Sequence, residues 1–110
     1  MSEVKIVATL TPRPEFVDAV RTAARKMVPQ THNEAGCLQY DLHETREIPD
    51  VRDLQNQGKV SFVFIERWTS EQTLKEHVAM SYHDDFLEAL DGKLENLNVQ
   101  KLTQLEPSKA

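Results

Sequence analysis

The sequence predicts an α+β fold of the ferredoxin-like type, a βαββαβ sandwich with a four-stranded antiparallel sheet and its helices on one face. Three observations lead there. Strand-like apolar runs occupy 4–10, 37–43, 60–68 and 97–105; helically spaced apolar stripes follow the first and third runs; and a chain of 110 residues can fill only one core. With 39% hydrophobic and 28% charged residues the composition is that of an ordinary globular domain. We assign one domain to residues 1–106 and a frayed tail to 107–110.

The first run, "VKIVATL", is rich in β-branched residues and ends at Thr11, Pro12 and Pro14. Pro14 suits the first turn of a helix, in which Phe16, Val20, Ala23, Ala24, Met27 and Val28 recur at helical spacing up to Pro29, the expected end. After Gly36, Leu38, Tyr40 and Leu42 alternate with Cys37, Gln39, Asp41 and His43 as in a half-buried strand. Residues 45–59, polar and interrupted by Pro49 and Gly58, are expected to form a mobile loop. In "VSFVFIERW" both parities are apolar, which marks a central strand covered on two sides.

Thr69 or Ser70 should cap the next helix, with Gln72 completing a capping box relative to Thr69. Leu74 and Val78 mark its inner face, Met80 and Ser81 suggest a break, and Tyr82, Phe86, Leu87 and Leu90 continue as a second helical piece to Gly92. The last strand is expected at 97–105. Such a sheet would leave Val63 and Ile65 facing water on the side away from the helices, and an apolar patch of that kind predicts a homodimer formed sheet to sheet.

Several partner classes are disfavoured. A net charge of −5 with scattered Lys and Arg argues against nucleic acid, and no apolar run approaches a membrane span. The start "MSEVKIVATL" lacks the features of a signal peptide, so a cytoplasmic location is expected. Cys37 is the lone cysteine and reads as a small buried hydrophobe.

The residues that could carry chemistry cluster near "ERWTSEQTLKEHVAMSYHDDF". His77 lies beside the inward stripe of its helix; there it either hydrogen-bonds a backbone carbonyl or Glu66 and packs, or exchanges a proton at neutral pH. His83 can look into the same cavity or face solvent. A spacing of six across a helix break is not that of paired helical zinc ligands, so no metal is assigned to them. Trp68 shares parity with Phe62, Phe64 and Glu66 and either packs in the core or stacks on a planar ligand. Tyr40 offers a phenol if its parity faces the helices. His32 and His43 read as surface residues.

Together, "EAGCLQYDLHE" and "FVFIERWTSEQTLKEHVAMSYHDDF" resemble the antibiotic-biosynthesis monooxygenase (ABM) domain family of the dimeric α+β barrel superfamily. The likeness rests on a glycine-led second strand, an E-x-W strand end, and histidines nine and fifteen residues after the tryptophan. It implies a homodimer of ferredoxin-like subunits that oxygenates small aromatic or quinol-type compounds, using molecular oxygen without metal, flavin or other cofactor. On that implication His77 is the expected base and His83 shares the catalytic site. Trp68 would stack on the substrate, Tyr40 would help orient its oxygens, and Phe64, Glu66 and Phe86 would complete the pocket. Two alternatives remain: an isomerase of sugar-phosphate-like signalling molecules, and a non-catalytic small-molecule-binding dimer.

Overall fold

Strict alternation in the first strand, β1 (Val4–Pro12), sets the architecture: Val4, Ile6, Ala8 and Leu10 are buried while Lys5, Val7, Thr9 and Thr11 are only half-covered. In the computed structural model of this chain, residues 2–48, 50–51 and 59–109 are described. A short 3-10 turn (Pro14–Phe16) leads into α1 (Val17–His32), followed by β2 (Cys37–Glu44), β3 (Phe62–Trp68), α2 (Glu71–Val78), α3 (Ser81–Leu90) and β4 (Leu94–Leu102). The loop expected at 45–59 includes Pro49 and the stretch 52–58, which lie outside the described residues.

The sheet order is β2-β3-β1-β4 and every neighbouring pair is antiparallel. This is the ferredoxin-like order, with β3 and β1 central as the two-sided apolarity of β3 requires. Within one chain the sheet is open. Its helix-bearing face joins Val4, Ile6, Ala8 and Leu10 to Trp68, Phe64 and Phe62, to Tyr40, and to Val20, Ala24 and Met27 of α1 and Leu90 of α3. On the opposite face Ile65 remains 40% exposed.

Five local expectations are corrected. α1 does not stop at Pro29 but continues through it to His32. An interior proline costs a helix about 3 kcal/mol, and here the last turn is held from outside. Thr31 is fully buried with its hydroxyl 3.1 Å from that of Tyr82, and His32 Nε2 meets the Tyr40 carbonyl at 2.9 Å. In β2, Leu38 does not join Tyr40 on the inner face. The register passes from Cys37 opposite Trp68 directly to Gln39 opposite Arg67, so Leu38 sits in a bulge and is exposed.

The cap of α2 is Ser70, whose hydroxyl accepts from the Thr73 amide at 3.2 Å while Thr73 Oγ1 accepts from the Ser70 amide. Thr73, rather than Gln72, therefore completes the box. The buried residue of α2 is His77 itself; Val78 is 49% exposed. Finally, β4 begins three residues early. Gly92 takes a left-handed conformation (φ 73°), and the Lys93 carbonyl at once accepts from the Arg13 amide at 2.9 Å, drawing the chain into the sheet beside β1.

Gly36, just before β2, has a packing role. A Cβ placed there would lie 2.3 Å from the Thr73 Cβ, so only glycine lets this turn pass against α2. The Gly36 carbonyl also accepts from the Thr69 amide at 3.0 Å. This close approach brings Glu34 to α2.

Candidate active site

Between the helix-bearing sheet face and α2–α3 lies a cavity of about 310 Å³, walled by all four strands and both helices. Ile6, Ala8 and Phe64 form much of its floor, and Tyr40, Glu66, His77 and His83 supply its polar groups. Exposed Val78, Leu87, Leu97 and Val99 surround it as an apolar rim. A few polar groups converging in an otherwise apolar hollow is the usual character of a small-molecule site.

His77 is buried, and its Nδ1 lies 2.7 Å from Glu34 Oε2. The same carboxylate oxygen accepts from the Tyr82 hydroxyl, which is itself 3.1 Å from Thr31 Oγ1. Because an ionised carboxylate can only accept, Nδ1 is the donor in this bond and Nε2 is the ring nitrogen turned away from Glu34. The imidazole is thus oriented by the carboxylate. Its ring packs against Trp68 at a centroid distance of 4.6 Å and meets His83 edge-on at 5.0 Å.

The partner of His77 is therefore Glu34, and not the backbone carbonyl or Glu66 anticipated from sequence. Glu66 instead accepts the Trp68 indole N–H on Oε1 at 2.9 Å. Burial pushes the Glu66 carboxyl up from 4.5 to about 7, opposed by the indole hydrogen bond and reinforced by the charge of Glu34. Burial, with the charge of Glu66 behind it, keeps the Tyr40 phenol protonated far above its ordinary range, opposed by a hydrogen bond with Thr31. Burial and the neighbouring His77 push His83 down, favouring its neutral form. The Nδ1 of His83 is buried with no hydrogen-bond partner among the described residues.

Of the site residues expected from sequence, His77, His83, Tyr40, Phe64, Glu66 and Phe86 meet in this one cavity. Trp68 does not line it. At the end of β3, opposite Val4 and Cys37, the indole is fully buried against His77, with no surface on which a ligand could stack. Glu34 and Tyr82 were not singled out as polar groups in the sequence. The available signal was an acid two residues before the strand-leading glycine, and a tyrosine hydroxyl on a stripe scored only as apolar. Cys37 is half-buried and its thiol is pushed up by burial, in keeping with a packing role. Among the described residues no three His, Cys, Asp or Glu side chains converge as a metal site, and no helix is long and apolar enough to cross a membrane.

Comparison with known proteins gives this geometry a lineage. No curated protein sequence matches the chain. Among solved structures, Rv0793 from Mycobacterium tuberculosis is 28% identical with a TM-score of 0.77, covering 98% of this chain and 100% of its own. PA3566 from Pseudomonas aeruginosa is 27% identical with a TM-score of 0.76, covering 96% and 97%. A protein described as an antibiotic biosynthesis monooxygenase is 26% identical with a TM-score of 0.72, covering 94% and 99%. The family model for antibiotic biosynthesis monooxygenases matches residues 3–89, from the start of β1 to the last turn of α3, and so takes in every polar group of the cavity. Matched over most of its length and folded as these relatives are, the chain belongs to the antibiotic biosynthesis monooxygenase family.

Proposed function

We propose that the protein is a cofactor-independent monooxygenase acting on a small aromatic or quinol-type compound, with His77 as the base and molecular oxygen as co-substrate. The observation that carries this reading is the Glu34–His77 pair at the wall of an apolar cavity. A carboxylate on Nδ1 orients the imidazole and stabilises the imidazolium that forms when Nε2 takes a proton. The substrate anion then reduces oxygen itself. For an anthrone-type methylene the balance closes without an external reductant: CH₂ and O₂ become C=O and water.

The apolar lining supports this choice over a phosphorylated substrate, since among the described residues no Lys or Arg lines the cavity. It also favours the less solvated, more reducing form of the anion. His83 and Tyr40 orient the oxygen substituents, Phe64 and Phe86 flank the aromatic plane, and Trp68 buttresses the base from behind. We further place the protein in the cytoplasm as a homodimer through the open sheet face, where Val7, Val63 and Ile65 form the apolar centre.

Oxygen uptake with a panel of anthrones and hydroquinones tests the reading. His77→Ala should abolish uptake while the fold persists. Turnover that continues under nitrogen, or that survives in His77→Ala, would overturn it.

A further inference from the structure

Glu66 has no role assigned beyond lining the pocket, yet its placement is specific. It stands at the centre of a row that crosses the sheet, with Tyr40 on one side and Ile6 on the other, all on the cavity face. One oxygen, Oε1, is fixed by the Trp68 indole at 2.9 Å. Among the described residues nothing hydrogen-bonds Oε2, and it is not a sealed orphan as His83 Nδ1 is, so that oxygen opens onto the cavity. The residue is only 6% exposed, and an ionised carboxylate in such surroundings is costly. A carboxyl anchored on one side, free on the other and kept in an apolar hollow is arranged to hold a proton and release it into that hollow.

We propose that Glu66 is a second catalytic residue of this cavity, the acid that protonates the reduced oxygen while His77 serves as the base. The proposal rests on the oxygenase reading above. In the first step His77 Nε2 takes a proton from the substrate CH₂. The resulting carbanion gives its electron pair to O₂, forming a C–O bond and a peroxide anion. The Glu66 carboxyl delivers its proton to the distal oxygen, giving the neutral hydroperoxide. The Glu66 carboxylate then removes the remaining C–H proton as the O–O bond breaks. The carbonyl forms, hydroxide leaves, and hydroxide takes the proton held by His77. Water is released, and Glu66 and His77 return to their starting forms.

A Glu66 carboxyl raised to about 7 is half protonated at neutral pH, as an acid that must reload each cycle needs to be. The titratable groups that face it are Tyr40 and Cys37 from β2, His77 from α2, His83 from α3, and Glu34 from the preceding turn. From β1 only Ile6 faces it; beyond, Lys101 of β4 lies 3.6 Å from Glu71 outside the cavity.

The test is Glu66→Gln, which preserves shape and an acceptor for the indole. With anthrone as substrate, kcat should fall about 100-fold with KM within threefold. The wild-type decline in kcat above about pH 7 should be absent from the residual activity of the variant. Independently of turnover, difference infrared spectroscopy should find a protonated-carboxyl band that titrates near neutrality in the wild type and is missing in Glu66→Gln. An active wild type whose Glu66→Gln variant keeps full kcat would overturn the role of Glu66 and leave the oxygenase standing. A wild type that shows the titrating band but takes up no oxygen with any of the panel would overturn the oxygenase reading and the role built on it. Absence of the band would overturn the proposal whatever the activity.

Discussion

His77 on α2 and Glu34 in the turn before β2 meet at 2.7 Å although 43 residues separate them. The pair joins the two halves of the βαββαβ unit, and in the proposed reaction it directs the imidazole as the base. Glu34→Gln keeps the size of the side chain but removes the charge that stabilises an imidazolium. We expect kcat to fall about 100-fold, with KM and the unfolding midpoint little changed. Steady-state oxygen uptake and thermal unfolding on the same samples check this.

Gly36 is the point at which the turn carrying Glu34 touches α2. Gly36→Ala would place a methyl 2.3 Å from the Thr73 Cβ, a group close to the backbone that cannot swing away. Overpacking of this kind costs about 1–3 kcal/mol. Urea unfolding should show that loss as a lower midpoint with an unchanged slope, and activity should drop as Glu34 is pushed from His77.

The raised Glu66 carboxyl has a sign that can be worked out. Below pH 4.5 it is protonated folded and unfolded alike; between 4.5 and about 7 the unfolded chain releases the proton that the folded one retains, so stability declines as pH rises, then levels off above about 7. The shift corresponds to roughly 3 kcal/mol at most. Glu66→Gln should abolish this decline, so the variant gains on the wild type between pH 4.5 and 7 when both are unfolded in urea. A difference that does not vary with pH in that window would contradict the buried carboxyl.

The proposed dimer predicts a response at the open sheet face. Ile65 is 40% exposed in the single chain, and a charge there would cost a monomer little but would be unpaired within a sheet-to-sheet interface. Ile65→Lys should therefore yield a folded monomer by light scattering. A wild type that is already monomeric would dispose of the interface.

Much of the architecture was legible in the chain because alternation and helical spacing are local properties. The parity of Val4, Ile6, Ala8 and Leu10 and the double apolarity of Phe62–Ile65 identify a central sheet. The helically spaced apolar stripe of α1 and the break at Met80 identify the helical layer. Where expectation and structure part, a distant contact decides. Thr31 and His32 hold α1 together past Pro29, the bulge at Leu38 follows from pairing with β3, and the Arg13 amide draws β4 in early. Each of these contacts comes from a different secondary-structure element than the residue it governs.

The site divides along the same line. Order and spacing of residues alone determined the ferredoxin-like class, turned His77 inward by helical phase and put Phe64 and Glu66 on one strand face by parity; the tertiary structure brought Tyr40, His83 and Phe86 to the same hollow. Only the tertiary structure decided that Glu34 holds the imidazole, that Trp68 is sealed behind it, and that Glu66 keeps a free oxygen in an apolar cavity. Protonation and hydrogen-bond partnership depend on distance and burial, and both are set by segments brought together from across the whole chain.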